Sequence, residues 1–291
     1  MASIDFSPPV GPVARELDQD VGCRKCKYNL RGLAGTSSCP ECGTPVEFST
    51  RGDLLHFSDP AWVSDLQTGI WCILLGIIMI VMGVVAGMLI RMQNIRVDLS
   101  VAATIFSAGA AILHFYGAWL LTAPDPSGLG EDRYGTSRKL IRITLMFGIL
   151  HHVVALLTMS HALSPNVHAL TVAVGWVALL ASVAGIFAML NYLGKLARRI
   201  PDEDLAVRAE RLVVAFAIPL SIMAFFGLIA FASDGEFASI MMLFGCVVVL
   251  CLLAFLVIGS WYLAFLANLA GAFAIQVEIA EQAWKPRRLK L

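Results

Sequence analysis

Charge is scarce in this sequence. Asp, Glu, Lys and Arg make up 14% of its 291 residues, against 58% hydrophobic ones. A soluble domain carries far more charge than that. Five long intervals hold none at all: Asp65 to Arg91, Asp98 to Asp125, Arg142 to Lys195, Arg211 to Asp234, and Glu236 to Glu278. Coupled transporters, pumps and proton relays usually place a carboxylate or lysine at mid-depth, and no apolar interval here contains one, which argues against active transport. Also missing are an H-E-x-x-H pair, a phosphate-cradling glycine loop and any nucleophile–base pairing, so the sequence gives no handle for an enzyme and none is expected. Finally, the N-terminus lacks the basic-then-apolar pattern of a cleaved leader. Residues 1–20 hold Pro8, Pro9, Pro12 and four acids, and read as a disordered tail.

What is present is apolar length. At 1.5 Å per residue a helix needs about 20 apolar residues to cross a bilayer core of about 30 Å. The intervals supply six such spans, at about 66–90, 99–123, 143–163, 168–194, 212–233 and 238–264. Ser58-Asp59-Pro60 opens the first, with Asp59 as N-cap and Pro60 at the first helical position. Trp62 and Trp71 suit the membrane–water interface, and Gly83 with Gly87 forms a G-x-x-x-G that lets another helix come close. Ser164-Pro165-Asn166 divides spans three and four, Pro219 bends span five, and Asp234-Gly235-Glu236 turns into span six. The fold expected is all-α, a six-helix membrane bundle over 58–275.

Cation placement orients it. Six Lys and Arg precede span one and two follow it; the next loops hold four, none, five and none, and the last four lie in the C-terminal tail. With six spans, 19 of the 21 fall on one side, which the positive-inside rule makes cytoplasmic, with both termini there. A seventh span would leave Lys285, Arg287, Arg288 and Lys290 outside. Residues 268–291 therefore read as a cytoplasmic helical extension and basic tail. The location expected is the cytoplasmic (inner) membrane, with the lipid bilayer as the first partner.

Cysteine is sparse too, seven in all, yet four fall within twenty residues. Cys23-Arg-Lys-Cys26 and Cys39-Pro-Glu-Cys42-Gly43 form a C-x2-C-x12-C-x2-C pattern suited to a tetrathiolate zinc ion. Each two-residue gap lets both thiolates meet one ion while backbone N–H groups turn toward the sulfurs, and Gly43 permits the tight turn. Four sulfurs leave no position for water, so the zinc is structural. A ribbon over 21–50 is too short to build a core without it. Arg24, Lys25, Lys27 and Arg31 surround a centre of charge about −2, as compensation or as a basic face. With Tyr28 as the lone aromatic nearby, nucleic acid is not the expected partner. Cys72, Cys246 and Cys251 lie in spans and read as small buried side chains.

Within the spans, histidine is the remaining chemistry. His114 on span two and His151 and His152 on span three fall at comparable depths, where two imidazoles from facing helices are candidate haem or metal ligands; a polar contact between helices is the alternative. Adjacent His151 and His152 point about 100° apart, so one at most faces a given partner. His161 and His168 lie at the outer boundary. Tyr116, Tyr192 and Tyr262 each lead a Leu/Ala-rich inner end, as three duplicated hairpins or ordinary interfacial tyrosine enrichment would give.

The residues Cys23, Cys26, Tyr28, Leu30, Gly32, Leu33, Cys39, Pro40, Cys42 and Gly43 resemble the N-terminal zinc ribbons of multi-pass membrane proteins of planctomycete-type bacteria. The resemblance spans some twenty residues and implies a ribbon fold and zinc, with no activity. The function expected is that of a non-enzymatic membrane protein whose cytoplasmic ribbon docks a protein partner. The alternatives are a membrane-embedded haem or redox protein using the histidines, and a passive channel or lipid-handling bundle.

Overall fold

The computed structural model describes residues 16–50, 52–92, 100–128, 131–158, 165–232 and 238–284. The tail to residue 15, the connection 93–99 with Arg96, the stretch 159–164 with His161, the turn at 233–237 and the basic tail from 285 lie outside the described residues.

Among the described residues there is no strand. A ribbon is followed by the short helix α1 (Glu47–Thr50), a 3-10 turn (Leu55–Phe57) and six long helices: α2 (Pro60–Met92), α3 (Ser100–Leu121), α4 (Glu131–Thr158), α5 (Pro165–Ala197), α6 (Glu203–Ala232) and α7 (Ala238–Trp284). Caps set several starts. The Asp59 carboxylate accepts from the Ala61 N–H at 2.8 Å, and the Asp202 carboxylate from the Asp204 N–H at 3.1 Å, satisfying donors that a helix start leaves free. Pro201 follows the end of α5, where a proline cannot continue the helix.

Each long helix packs on the next in the chain and α7 returns against α2, so the six close into a ring. Four stretches among the described residues are long and apolar enough to cross a membrane: Pro60–Leu89, Thr171–Ala197, Glu203–Phe226 and Gly245–Trp284. The other two expected spans fall short of that measure within the described residues. Ile105–Leu121 is apolar but brief, and the first half of α4 carries Arg138, Lys139 and Arg142. The outward faces of the helices expose large apolar side chains such as Met82, Trp176, Leu180, Leu256 and Val257, the surface a bilayer covers.

α2 and α3 meet backbone to backbone. A Cβ on Gly69 would lie 2.7 Å from the Gly117 carbonyl oxygen, and one on Gly117 would lie 2.6 Å from that of Gly69; Gly76 meets the Ala110 carbonyl at 3.1 Å. Gly69, Gly76 and Gly83 repeat every seven residues, the spacing that holds one face toward a neighbour along a left-handed crossing. The G-x-x-x-G expectation is thus replaced. Gly83 faces the Phe106 ring, but Gly87 has open space around it.

The packed core lies at one end of the ring, where Leu66 and Ile70 of α2, Leu121 of α3, Ile141 of α4, Tyr192 of α5 and Phe273 of α7 meet. Trp62 belongs to this core and not to a lipid interface. It is 4% exposed and its indole N–H donates to the Ala123 carbonyl at 3.1 Å, whereas Trp71 faces outward. The three tyrosines sit in unlike surroundings. Tyr116 is exposed, Tyr192 is fully buried with its hydroxyl donating to the Leu121 carbonyl at 2.8 Å, and Tyr262 is half-buried against Phe216. α7 is continuous for 47 residues and carries the apolar run straight into its polar extension.

Candidate metal centre and its attachment to the bundle

Two turns of the same design build the cysteine cluster. In the first, the Cys23 N–H donates to Tyr28 O (2.7 Å) and the Lys27 N–H to Cys23 O (2.9 Å). In the second, the Cys39 N–H donates to Thr44 O (2.8 Å) and the Gly43 N–H to Cys39 O (2.9 Å). Antiparallel pairs Gly22–Asn29 and Ser38–Pro45 close the two loops. The residue after the second cysteine has positive φ in both, 66° at Lys27 and 70° at Gly43. Glycine accepts that conformation freely, whereas lysine is held in it by the turn. A further pairing lies upstream of the expected ribbon boundary: the Leu17 N–H donates to Leu33 O, and Leu17 packs with Leu30 and Val46. Glu16 and Leu17 therefore belong to the head, ahead of the expected start at residue 21.

The four Sγ atoms lie within 4.8 Å of one another, with Cys23–Cys42 and Cys26–Cys39 each at 3.6 Å. None is disulfide-bonded. A tetrahedral zinc–thiolate site with bonds of about 2.3 Å spaces its sulfurs by about 3.8 Å, so the cluster fits such an ion with little movement. The donor set, four thiolates and no water position, suits a structural site. Burial pushes the Cys42 thiol up, but Thr44 and the Cys26 and Cys23 thiols hydrogen-bond to it and bring it down to about 6. The Tyr28 backbone lowers Cys26, but desolvation and the neighbouring thiols outweigh that and push it up to about 12.

The ribbon is bonded to the end of the bundle. Arg24, between the first two cysteines, is buried; its guanidinium approaches the Asp53 carboxylate at 3.8 Å and donates to Gly52 O at 3.4 Å, while its backbone N–H donates to Ser49 Oγ. Asp53 also pairs with Arg199 at 2.6 Å, and Arg199 pairs with the fully buried Asp125 carboxylate at 2.7 Å. Arg199 further donates to Asp53 O and Ser58 Oγ and lies 5.0 Å over the Trp62 ring. Burial raises the Asp125 carboxyl, but hydrogen bonds from Ser127 and Arg199 hold it below its ordinary value. Around this chain of charges, Lys27 donates to Ser127 O, Phe48 packs at a tilt against Phe57 and Trp284, and Lys25 sits over Trp284. The ribbon, the α3–α4 loop, the end of α5 and the end of α7 thus share one end of the ring.

The sequence reading missed this network. Arg24 and Lys27 read there as cations around a zinc centre, and Asp53, Asp125 and Arg199 were not singled out. The signal available was Pro124-Asp125-Pro126, an acid held stiffly between prolines at the mouth of an apolar segment.

Of the candidate intramembrane ligands, His114 and His152 line one cavity inside the ring. His151 points away, toward Gly175 of α5, with its Nδ1 buried and without a hydrogen-bond partner. The His168 side chain and His161 lie outside what is described. No family model, curated protein or solved structure matches the chain, so the cysteine geometry and its attachment to the bundle are the pointers to its function.

Proposed function

We propose that this is a non-enzymatic, six-span protein of the cytoplasmic membrane, with both termini in the cytoplasm. Its structural zinc ribbon caps the inner end of the bundle and presents its outer face to a cytoplasmic protein partner. The observation that carries the reading is the closed four-thiolate cluster fixed through Arg24 to the charge-rich end of the ring. Three further points support it. Reduced thiols belong to the cytoplasm, the side to which 19 of 21 cations point. The ribbon's inward face is occupied by its own bundle, which leaves Tyr28, Asn29, Arg31 and Glu41 exposed for a partner. Each of the four ribbon cations has a contact within the chain, Arg24 and Arg31 in ion pairs with Asp53 and Asp20, which offsets part of the positive charge that nucleic acid would need.

In-cell photo-crosslinking from position 28 of the full chain tests the docking reading. A cytoplasmic protein crosslinked there, and lost in Cys39→Ser at equal membrane abundance, is the expected result. Crosslinks unchanged by Cys39→Ser would remove the ribbon from the interaction.

A further inference from the structure

The ring holds a partly open cavity of about 480 Å³ lined by residues of all six long helices. Protein sites for small molecules are typically concave, mostly apolar and about 300–1,000 Å³, with a few convergent polar groups. This one has that character, and among the described residues no Asp, Glu, Lys or Arg lines it. An ionised ligand would find no counter-charge there, and in an apolar site it would need one.

The polar side chains divide into two kinds. Thr144 and Ser182 donate their hydroxyls to carbonyls of their own helices, Ile141 O at 2.9 Å and Ala178 O at 2.7 Å, so they offer lone pairs only. His114, His152 and Tyr262 have no protein hydrogen bond among the described residues and border the cavity. They come from α3, α4 and α7. In the ring order α4 stands opposite α7, so His152 and Tyr262 approach from facing walls. A neutral imidazole and a phenol each both donate and accept, so the same two groups serve a carbonyl oxygen or a hydroxyl.

We propose that the cavity binds a neutral, membrane-soluble molecule of the quinone class, its ring in the apolar chamber and its two oxygens hydrogen-bonded to His152 and Tyr262 from opposite walls. His114 lies on the neighbouring wall as an additional donor. The proposal is independent of the zinc and of the orientation in the membrane.

The test is equilibrium dialysis of duroquinone against the full-length protein in phosphatidylcholine nanodiscs. Saturable one-to-one binding is expected, and Tyr262→Phe, which removes a single oxygen, should weaken it about threefold to tenfold, the worth of one hydrogen bond. His152→Phe should do likewise. Gly148→Leu should abolish binding, since Gly148 lines the cavity and a side chain there meets open space. Durene, the same ring without oxygens, should bind more weakly than the quinone. Zinc content and helicity report folding of each variant, and Tyr262→Phe alone decides if the others fail to fold. Unsaturable partition equal in all variants, durene binding as tightly as duroquinone, or a Soret band in the purified protein, which would put a haem there, overturns the proposal.

Discussion

At the scale of single residues, the two cysteine turns share a backbone and differ in how well their residues suit it. Gly43 sits at φ 70° without strain, so Gly43→Val should cost on the order of 1–2 kcal/mol in the ribbon and weaken zinc binding about tenfold, read by competition with a chromophoric chelator. Lys27→Gly should relieve the same strain at φ 66° and lose its bond to Ser127 O, leaving zinc affinity unchanged or improved. Arg199 carries more. Removing it in Arg199→Met takes away the cation paired directly with the buried Asp125 carboxylate, and unfolding of this end of the ring should become easier by roughly 3–5 kcal/mol, seen as a lower melting temperature. The sign with pH follows from the depressed Asp125 carboxyl. Its contribution is complete above the unfolded value of about 3.9 and is lost as pH falls through the lower, folded one. The stability difference between wild type and Asp125→Asn should therefore be flat from about pH 7 to pH 5 and shrink below about pH 4.

At the scale of elements, glycine placement decides how α2 and α3 meet. Gly117→Val would drive a side chain into the Gly69 carbonyl and should destabilise the bundle by about 1–3 kcal/mol, while Gly87→Val, with open space around it, should be nearly silent. Thermal unfolding of both variants in one detergent makes the comparison. The contrast also shows what the sequence could carry. Charge-free length, caps at Asp59 and Asp202 and the paired cysteines act locally, so the helices and the cluster were legible from the chain. Which small residues form a contact depends on the partner helix, and a G-x-x-x-G match at Gly83 and Gly87 was a weaker guide than the sevenfold stripe through Gly69 and Gly76. Trp62 misled for the same reason, since its burial depends on Ala123 and Arg199, which are distant in sequence.

At the scale of the whole molecule, a four-cysteine head and an apolar ring are joined by charges that neither part displays on its own. Arg24 lies between two of the clustered cysteines, so an ion held by them would also fix the register of the ribbon against Asp53 and, through it, Arg199 and Asp125. Histidine placement illustrates the same dependence on assembly. The sequence put His114, His151 and His152 at one depth, but only the closed ring determines that His114 and His152 share a cavity while His151 turns to α5. Loading of the site requires the thiols to lose protons, so zinc affinity should fall as pH is lowered, steeply below about pH 6 once Cys42 also binds a proton. The most direct measurement is elemental analysis of the purified full-length protein beside its Cys39→Ser variant. One zinc per chain, lost in Cys39→Ser with the bundle still helical, is the result expected; a wild-type protein without zinc, or a variant that keeps it, would contradict the account.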